Sequence, residues 1–477
     1  MSESNGTSKV TETRVLLRHA EDPKMATLAG YESYGGYQVL KKALKEIDPE
    51  WIVNELEESG LRGRGGAGFS MGKKVSFLPR TEEAKYLCCN ADESEPGAFK
   101  DRELMQRNPH QLIEGIIISS FAAGIEHAFI FIRGEYDDQA DILDRAVEEA
   151  YGAGYLGKNI LGSGFDLELV VHRGAGAYIC GEETALLDAL EGKRGNPRLK
   201  PPFPAVQGLY GGPTLINNVE TLSNVSHIVA NGADWFKSFG TEQSPGTKVV
   251  SVSGCVKRPG NYEVELGVSL RDLIYGLAGG PLDGREITAF YPGGSSSPVL
   301  TPAEMDLPYS FEAMAEAGSM LGSGSIIVAD DSVSIPHMAL RTAKFYRHES
   351  CGKCTPCREG TNWTEKMLQR VVRGEATPMD LDIISSVQDN IMGHCLCVLG
   401  DAMAMPVSSM VTKFRDEFEE VIASEAAKAW NTALDGPDSP GRDENANGDE
   451  PGPGGTSPEE IRRERLAGRA IPSGGAS

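Results

Sequence analysis

The feature that most constrains this chain is a run of three cysteines, each two residues from the next, in the stretch HESCGKCTPCREG. The thiols belong to Cys351, Cys354 and Cys357, and the C-x2-C-x2-C spacing lets three thiolates converge on one face of an iron–sulfur cubane. A fourth ligand is needed, and both Cys395 and Cys397 in GHCLCVLGD are candidates. Structural zinc sites, the alternative, usually come as two separated C-x2-C pairs. The spacing therefore favours a [4Fe-4S] cluster over zinc and over unliganded core cysteines.

Composition limits the class of protein further. A length of 477 residues indicates several domains, and a net charge of -23 repels phosphate backbones, so nucleic-acid binding is not expected. Clustering of cysteines in residues 351–397 of a long chain indicates metal binding in a reducing compartment, not a disulfide scaffold. Cys88, Cys89 and Cys255 lie in apolar, strand-like stretches and are interpreted as core residues. Cys180 receives no role.

No stretch of the sequence has the pattern of a membrane span. The most apolar window, Leu112–Ile132, is interrupted by Glu114, Glu126 and His127. The first residues lack the apolar core of a signal peptide. Any membrane association is therefore expected to come through partner proteins.

Residues 48–240 alternate strand and helix patterns. KYLCCN, HAFIFI and FDLELVV read as strands, and QLIEGIIISSFAAG and DDQADILDRAVEEAY read as the helices between them. This alternation predicts a largely parallel sheet covered by helices. Ligands of such sheets bind beyond the carboxyl ends of the strands. The candidate ligand-binding loops are therefore NADESEPG after the first strand and HRGAGAYICGEE after the third.

The remaining segments differ in character. Residues 1–47 form an N-terminal segment, and residues 241–335 read as a small β-rich domain with a KVVSVSG/YEVEL hairpin and one helix capped by Ser269. Residues 336–430 show helical apolar stripes and carry the cysteine run. Residues 431–477 are rich in Gly, Pro, Ser and charge, a composition typical of a disordered tail.

The stretch GLRGRGGAGF contains a literal G-x-G-x-x-G at Gly63, Gly65 and Gly68. The dinucleotide fingerprint needs a strand before it, but the preceding EWIVNELEESG has a helical pattern, so an ordinary Rossmann loop is not expected. Bare backbone can still approach a phosphate or a flat ring and offer N–H donors, and Arg64, Lys73 and Lys74 add positive charge. The alternative is a flexible surface loop.

Two acidic groups follow predicted strands. Asp92, Glu93 and Glu95 lie in the first loop, and Glu182 and Glu183 lie in the second. Carboxylates at strand ends accept hydrogen bonds from ribose hydroxyls, and they repel an additional 2′-phosphate. This pattern favours NADH over NADPH as a ligand, whereas a solvated charged face is the alternative.

The stretch GPTLINNVETLSNV is interpreted as a loop that leads into a helix. Its Asn217 and Asn218 are candidates to hold the polar edge of a ring. A plain helix N-cap explains them equally well.

Taken together, GLRGRGGAGF, NADESEPG, GAGAYICGEETALL, INNVET, SCGKCTPCREG and CLCVLGD resemble the family of the NADH-quinone oxidoreductase F subunit, the 51 kDa flavoprotein subunit of respiratory complex I. The resemblance spans roughly Glu50–Ala423. It implies an α/β fold with a modified Rossmann-like domain for FMN and NADH. A ubiquitin-like β-grasp domain and a C-terminal four-helix bundle carrying a [4Fe-4S] cluster are expected to follow. The implied reaction is hydride transfer from NADH to FMN, then single-electron transfer to the cluster and on towards quinone.

The resemblance also implies site residues. The implied cofactor and nucleotide contacts are Gly63, Arg64, Gly65, Gly66, Phe69, Lys73, Phe77, Asn90, Asp92, Glu93, Gly181, Glu182, Lys200, Phe203, Asn217, Asn218 and Thr221. The implied polar groups of the catalytic site are Glu95, Tyr178 and Glu183. The implied cluster ligands are Cys351, Cys354, Cys357 and Cys397. Cys395 departs from the family pattern, which has Thr or Ser there.

Partners and location follow from the same resemblance. The small [2Fe-2S] subunit and the large iron–sulfur subunit of complex I are the implied partners. The expected location is the cytoplasmic side of the bacterial inner membrane, as a peripheral subunit. Two alternatives stay open: the diaphorase subunit of an NAD-linked hydrogenase or formate dehydrogenase, and a zinc-stabilised assembly module without redox activity.

Overall fold

The computed structural model describes residues 10–81 and 83–424. Its first sheet is parallel and has four strands. The strand order is β3-β2-β1-β4. Its strands are β1 (Tyr86–Ala91), β2 (His127–Ile132), β3 (Glu168–Arg173) and β4 (Thr214–Asn218). The predicted strands β1, β2 and β3 are confirmed, because uninterrupted apolar runs flanked by turns mark buried parallel strands. The predicted disordered tail, residues 431–477, lies outside the described residues.

The fourth strand corrects the sequence interpretation. The sequence predicts a loop leading into a helix at Gly212–Val225, but Thr214–Asn218 pairs with β1 along its whole length. Asparagine is depleted in strands, which hides the pattern. Here Asn217 and Asn218 stand at the carboxyl end of β4, where the strand ends and side chains turn to other partners.

Helices cover this sheet and precede it. They are α1 (Leu28–Ser33), α2 (Gln38–Glu46), α3 (Pro49–Glu58), α4 (Met71–Ser76), α5 (Lys100–Arg107), α6 (Pro109–Ala123), α7 (Asp137–Gly152), α8 (Glu183–Leu190), α9 (Val219–Ser223), α10 (Val225–Asn231) and α11 (Ala233–Lys237). The apolar helix α6 is buried along most of its length. Among the described residues, no helix combines the length and apolar character needed to cross a bilayer.

The second sheet has the order β6-β5-β8-β7. Its strands are β5 (Thr247–Gly254), β6 (Gly260–Glu265), β7 (Ile287–Tyr291) and β8 (Ser325–Asp330), accompanied by helix α12 (Phe311–Glu316). The predicted β5–β6 hairpin is antiparallel, as expected, and β5 also pairs in parallel with β8. The predicted helix after Ser269 begins as expected, with the Asp272 N–H donating to Ser269 Oγ at 3.0 Å, but Asp272–Leu277 has π-helical hydrogen bonding.

The C-terminal part is a helical bundle. It contains α13 (Ile335–Glu349), α14 (Thr355–Val372), α15 (Pro378–Ile391), α16 (Leu399–Lys413) and α17 (Arg415–Ala423). Helices α13, α14, α15 and α16 pack in a ring, each against the next, around Leu368, Ile384 and Met403. The helical apolar stripes predicted for residues 336–430 lie on these helices, and Phe414 separates α16 from α17.

The bundle and the first sheet share a core. One buried apolar cluster runs from Cys88 and Phe131 in the first sheet to the bundle interior. All described residues belong to one unit, Met1–Ala427, and a second unit, Lys428–Ser477, lies outside them. Cys88 and Cys89 are buried on β1 as predicted, whereas Cys255 is partly exposed, so its interpretation as a core residue was wrong. It follows β5 directly at the end of the sheet.

Candidate functional site

The loops after β1 and β3 meet at the carboxyl edge of the first sheet, where parallel strands all end. Asn90 Nδ2 donates to the Gly181 carbonyl oxygen at 2.8 Å. The Tyr178 hydroxyl donates to Glu95 Oε2 at 2.8 Å. Residues from both predicted loops therefore border one region, which is where ligands of parallel sheets bind.

The glycine-rich loop lies between helices α3 and α4, so the expectation of a loop without a preceding strand is confirmed. The Gly63 N–H donates to the Phe69 carbonyl at 2.8 Å, which closes the loop on itself. A Cβ on Gly65 would lie 2.8 Å from Asn218 Cβ, so only glycine allows this approach to β4. Gly66, with φ at +144°, faces open space, and a ligand can approach its backbone closely.

Two buried side chains next to this loop have donors without a partner. Arg64 is fully buried; its backbone N–H donates to Thr221 Oγ1 at 2.9 Å and its Nη2 to the Pro245 carbonyl at 2.8 Å. Its Nε and Nη1, and Asn217 Nδ2, find no hydrogen-bond partner within residues 10–81 and 83–424. Burial lowers the pKa of Arg64 to about 10, and the group stays cationic at neutral pH. Unpartnered buried donors around an arginine fit an anionic, acceptor-rich group such as FMN.

The acidic residues after β1 have three different environments. Burial raises the pKa of Asp92 to about 7, although the Ser94 hydroxyl bonds its Oδ1. Glu93 turns into the interior, where its carboxylate accepts the N–H groups of Asp101 and Arg102 at 2.8 and 2.9 Å and so caps α5. Glu95 differs from both, because it accepts the Tyr178 hydroxyl at the edge of the sheet.

Glu95 is held from two sides. The Tyr178 hydroxyl bonds Oε2 of Glu95. The other oxygen, Oε1, accepts the Ser296 N–H at 2.8 Å and lies 3.5 Å from Ser295 Oγ. Both serines follow β7 of the second sheet, so that sheet helps to orient a carboxylate at the edge of the first. Burial raises the pKa of Glu95, while these donors act in the opposite direction.

The start of α8 concentrates charge. Glu182 is the N-cap: its Oε2 accepts the N–H groups of Thr184 and Ala185, both at 2.9 Å. Lys200 Nζ lies 3.0 Å from Glu182 Oε1 and 2.8 Å from Glu183 Oε1. Burial alone would raise the pKa of Glu183, but Lys74 and Lys200 hold it below its ordinary value. Glu183 is therefore an anion at neutral pH.

Three predicted aromatics are exposed. Phe69, Phe77 and Phe203 show 45%, 58% and 59% of their surface, which leaves their rings available for stacking. The Phe69 and Phe77 ring centroids lie 6.2 Å apart. Lys73 is exposed, whereas its neighbour Lys74 turns inward and donates to the Ile216 carbonyl at 3.1 Å.

Sequence reasoning missed a group of buried charges behind the site. They are Lys100, Asp101, Glu220 and Lys248, each at most 3% exposed. The only local signal is a lysine in the otherwise apolar, strand-forming stretch TKVVSVSG, since buried lysines are rare unless paired. Their pairing joins positions far apart in the sequence, which no local pattern reveals.

The predicted cluster ligands surround one cavity. Cys351, Cys354, Cys357 and Cys397 line it together with Ile179 and Leu399. In the described part of the chain, no three His, Cys, Asp or Glu side chains are arranged to hold a single metal ion. Thiols spread around an apolar cavity fit a cubane, whose four irons are bound at separate corners, better than one zinc ion.

Cys395 adjoins these four thiols, because its side chain lies close enough to that of Cys357 to interact with it. Its Sγ donates to the Ile391 carbonyl at 3.5 Å and packs against Gly400, where an added Cβ would lie 2.5 Å away. It is not among the residues that line the cavity.

The cavity and the sheet edge are adjacent. Ile179, which lines the cavity, belongs to the short 3-10 turn Tyr178–Gly181. The Tyr178 N–H donates to Glu349 Oε2 at 2.9 Å, and Lys353 Nζ donates to the Pro197 carbonyl at 2.6 Å. These bonds fix the cysteine-bearing loop against the sheet-edge loops.

Family models match three segments of the chain. The Nuo51 FMN-binding domain matches residues 56–227, and the SLBB domain matches residues 249–300. The NADH-ubiquinone oxidoreductase-F iron-sulfur binding region matches residues 337–421. These segments contain the first sheet, most of β5 with β6 and β7 of the second sheet, and most of the bundle, respectively.

Similar proteins cover most of the chain. The NADH-quinone oxidoreductase F subunit 2 of Rhizobium meliloti (strain 1021) is 53% identical over 405 residues, 85% of this chain and 96% of that protein. The NADH-quinone oxidoreductase F subunit of Mycobacterium bovis is 52% identical over 414 residues, 85% of this chain and 93% of that protein. Among solved structures, a chain of an NAD+-reducing [NiFe]-hydrogenase in the H2-reduced state has a TM-score of 0.77 and 33% identity, with 97% of this chain and 72% of that chain covered.

Proposed function

The chain belongs to the family of the NADH-quinone oxidoreductase F subunit, and from this membership and the site we infer that it oxidises NADH with FMN and one [4Fe-4S] cluster as its cofactors. When bound, FMN supplies a hydride acceptor and the cluster a one-electron carrier, which couples a two-electron donor to single-electron transfer towards quinone. The chain's own contribution is binding, orientation and electrostatics. Its catalysis is therefore chiefly positioning.

One observation carries the proposal: the thiol cavity and the ligand-binding edge of the first sheet share the turn Tyr178–Gly181. Ile179 lines the cavity, while the Tyr178 hydroxyl bonds Glu95 and the Gly181 carbonyl bonds Asn90. Two cofactors that exchange electrons must lie close together. A single shared turn between the two places supports that arrangement.

FMN is assigned to the edge between the glycine-rich loop and β4. Arg64 and Asn217 offer donors that lack partners among the described residues, and Gly66 leaves the backbone open. Hydrogen bonds from such groups to phosphate and ring atoms would satisfy buried atoms that are otherwise unsatisfied. The proposed FMN contacts are Gly63, Arg64, Gly65, Gly66, Lys73, Asn90, Asp92, Gly181, Glu182, Asn217, Asn218 and Thr221.

NADH is assigned to the exposed aromatic side of the same edge. Phe69, Phe77 and Phe203 provide ring faces, and Lys200 provides a cation beside Glu183. Glu93 would act from the interior by holding the loop after β1, because its oxygens are occupied by backbone N–H groups.

Glu95, Tyr178 and Glu183 are proposed as the polar groups of the catalytic site. The bond from Tyr178 to Glu95 fixes the direction of both side chains, and Glu183 is anionic beside its lysines. None of them acts as a nucleophile. Their proposed role is to orient the nicotinamide and ribose of NADH and to disfavour a 2′-phosphate by charge.

The cluster ligands are proposed to be Cys351, Cys354, Cys357 and Cys397, because these thiols line the cavity. A hydrogenase diaphorase is the related alternative, but the identity to that solved chain is 33%, against 53% to a quinone-enzyme subunit. A zinc-bound assembly module is not favoured, because it would leave the unpartnered donors near β4 unexplained.

The relatives are named as subunits, so this chain belongs to a multi-subunit enzyme. We propose the small [2Fe-2S] subunit and the large iron–sulfur subunit as its partners, and the cytoplasmic side of the bacterial inner membrane as its location. The proposal rests on family membership.

The direct test is anaerobic titration of the purified protein with NADH. We expect the flavin absorbance near its long-wavelength maximum to bleach with NADH, and much less readily with NADPH. NADH-dependent reduction of ferricyanide should accompany it. A protein that binds flavin but is not reduced by NADH would contradict the proposed reaction.

A further inference from the structure

A buried ionic network joins the two sheets behind the glycine-rich loop. Lys100 Nζ lies 2.7 Å from Asp101 Oδ1 and 2.8 Å from Glu220 Oε2. Lys248 Nζ lies 2.5 Å from the same Glu220 oxygen, and the other, Oε1, accepts the Val249 N–H at 2.9 Å. Lys248 and Val249 belong to β5 of the second sheet, whereas Lys100, Asp101 and Glu220 belong to helices that flank the first sheet.

This network touches two proposed flavin contacts. Asp101 Oδ2 accepts the Asn218 Nδ2 proton at 2.6 Å, which fixes the amide at the end of β4. Arg64 is close enough to Glu220 to lower the pKa of that carboxyl, together with Lys100 and Lys248, against the effect of burial. The network therefore reaches from the second sheet to the loop that we assign to FMN.

The network places cations and carboxylates in direct contact. Three buried cations, Arg64, Lys100 and Lys248, face two carboxylates, Asp101 and Glu220. A third carboxyl, Glu93, interacts with Lys100 and Asp101, so basic and acidic side chains are equal in number; burial raises the pKa of Glu93 to about 7.

Lys248 has the lowest pKa of these three cations. Burial lowers its pKa to about 7, although Glu220 acts in the opposite direction. Beside this network, two guanidinium nitrogens of Arg64 have no partner in the described chain, which leaves room for the oxygens of an anionic ligand.

We propose that Lys248 is a positioning residue of the flavin site, and that by offsetting the charge of Glu220 beside Lys100 it keeps the site able to select the phosphate of FMN. The inference rests on the proposed function, because it presupposes that FMN binds at this edge. It gives the second sheet a role in cofactor recognition, since Lys248 lies on β5 and acts through Glu220 on the residues assigned to FMN.

The test compares FMN with riboflavin, which lacks the phosphate, on full-length protein stripped of flavin. We expect wild type to bind FMN at least tenfold more tightly than riboflavin. Lys248→Met should weaken FMN at least tenfold and change riboflavin affinity less than twofold. Loosening of the structure alone would weaken both flavins equally, and that result would overturn the inference.

Two variants serve as controls. Lys248→Arg keeps the charge and should keep the preference for FMN even if the larger side chain lowers the melting temperature. Glu263→Gln alters an equally buried group of the second sheet, whose oxygens accept the N–H groups of Val15, Leu16 and Leu17. It should change stability without changing the ratio of the two affinities.

A second measurement needs no variant. Inorganic phosphate should raise the melting temperature of flavin-free wild type and weaken FMN binding by competition, while riboflavin binding stays unchanged. Absence of both effects would contradict the inference even if Lys248→Met does not fold. If wild type binds neither flavin, the proposed function itself fails. If it binds both equally, only the phosphate-selecting role of Lys248 fails.

Discussion

Replacing Arg64 by methionine separates a cofactor-binding role from a structural one. The guanidinium is fully buried, and its Nη2 donates a hydrogen bond to the Pro245 carbonyl. Its Nε and Nη1 have no partner in the described chain. A hydrogen bond to a charged group contributes about 1.5–3 kcal/mol, so loss of one such bond to FMN weakens binding about 10- to 150-fold. Loss of two would weaken it further.

The same substitution should spare the flavin-free protein. It removes the bond to the Pro245 carbonyl, worth about 1.5–3 kcal/mol because the donor is charged, but it also removes two unsatisfied buried donors that each cost about 1–3 kcal/mol. The flavin-free Arg64→Met protein should therefore be as stable as wild type or more stable. A purely structural arginine predicts the reverse pattern, with stability lost and FMN affinity kept.

The assay is quenching of FMN fluorescence on titration into flavin-free protein, with unfolding by denaturant measured on the same preparation. Arg64→Lys is the matched control, because it keeps a charge but lacks the planar fork of donors. It should fall between wild type and Arg64→Met. An FMN dissociation constant within about threefold of wild type in Arg64→Met, a difference below about 0.7 kcal/mol, would refute the reasoning.

Three further predictions concern NADH and the cluster. Glu95→Gln replaces the carboxylate that accepts the Tyr178 hydroxyl, so the KM for NADH should rise about tenfold, the effect of one charge-assisted bond. The FMN content should stay at the wild-type level. An unchanged KM in the ferricyanide assay would count against this role of Glu95. Glu183→Ala removes an anion, so kcat/KM for NADPH should rise at least severalfold, and no gain would remove its role in discrimination. Cys397→Ala should lose bound iron and sulfide while Cys395→Ala keeps both, since only Cys397 of the two lines the cavity. Loss of iron from Cys395→Ala alone would instead assign the fourth cluster ligand to Cys395.

Local signals in the sequence predicted much of the fold. The strands β1, β2 and β3 follow from short apolar runs, and the β5–β6 hairpin follows from a turn between two alternating stretches. The absence of a strand before the glycine-rich loop follows from the helical spacing of EWIVNELEESG, which is α3. In each case the pattern lies within one element, so the chain reveals it without its partners.

Other features depend on contacts that a single stretch does not show. Strand β4 was missed because its asparagines suit a loop, yet pairing with β1 overrides that preference. The sequence indicates Glu182 as a ligand contact, but it also caps α8, a role that becomes visible once the helix start is known. Pattern reasoning therefore selected residues at the site and missed part of what they do.

The candidate site shows the same division. The cysteine spacing and the glycine-rich loop are compact motifs and were recognisable directly. The bonds from Ser295 and Ser296 to Glu95, and from Lys248 to Glu220, join positions separated by 200, 201 and 28 residues. Such pairs depend on how the second sheet packs against the first, which composition and periodicity do not encode locally.

The central claim is that the described chain holds a flavin and an iron–sulfur cubane on either side of one turn. Its most direct test is the cofactor content of the full-length protein, purified anaerobically and assayed for iron, acid-labile sulfide, zinc and released flavin. The account predicts about four irons, about four sulfides and one FMN per chain, without stoichiometric zinc. Zinc in place of iron, or iron without flavin, would contradict it.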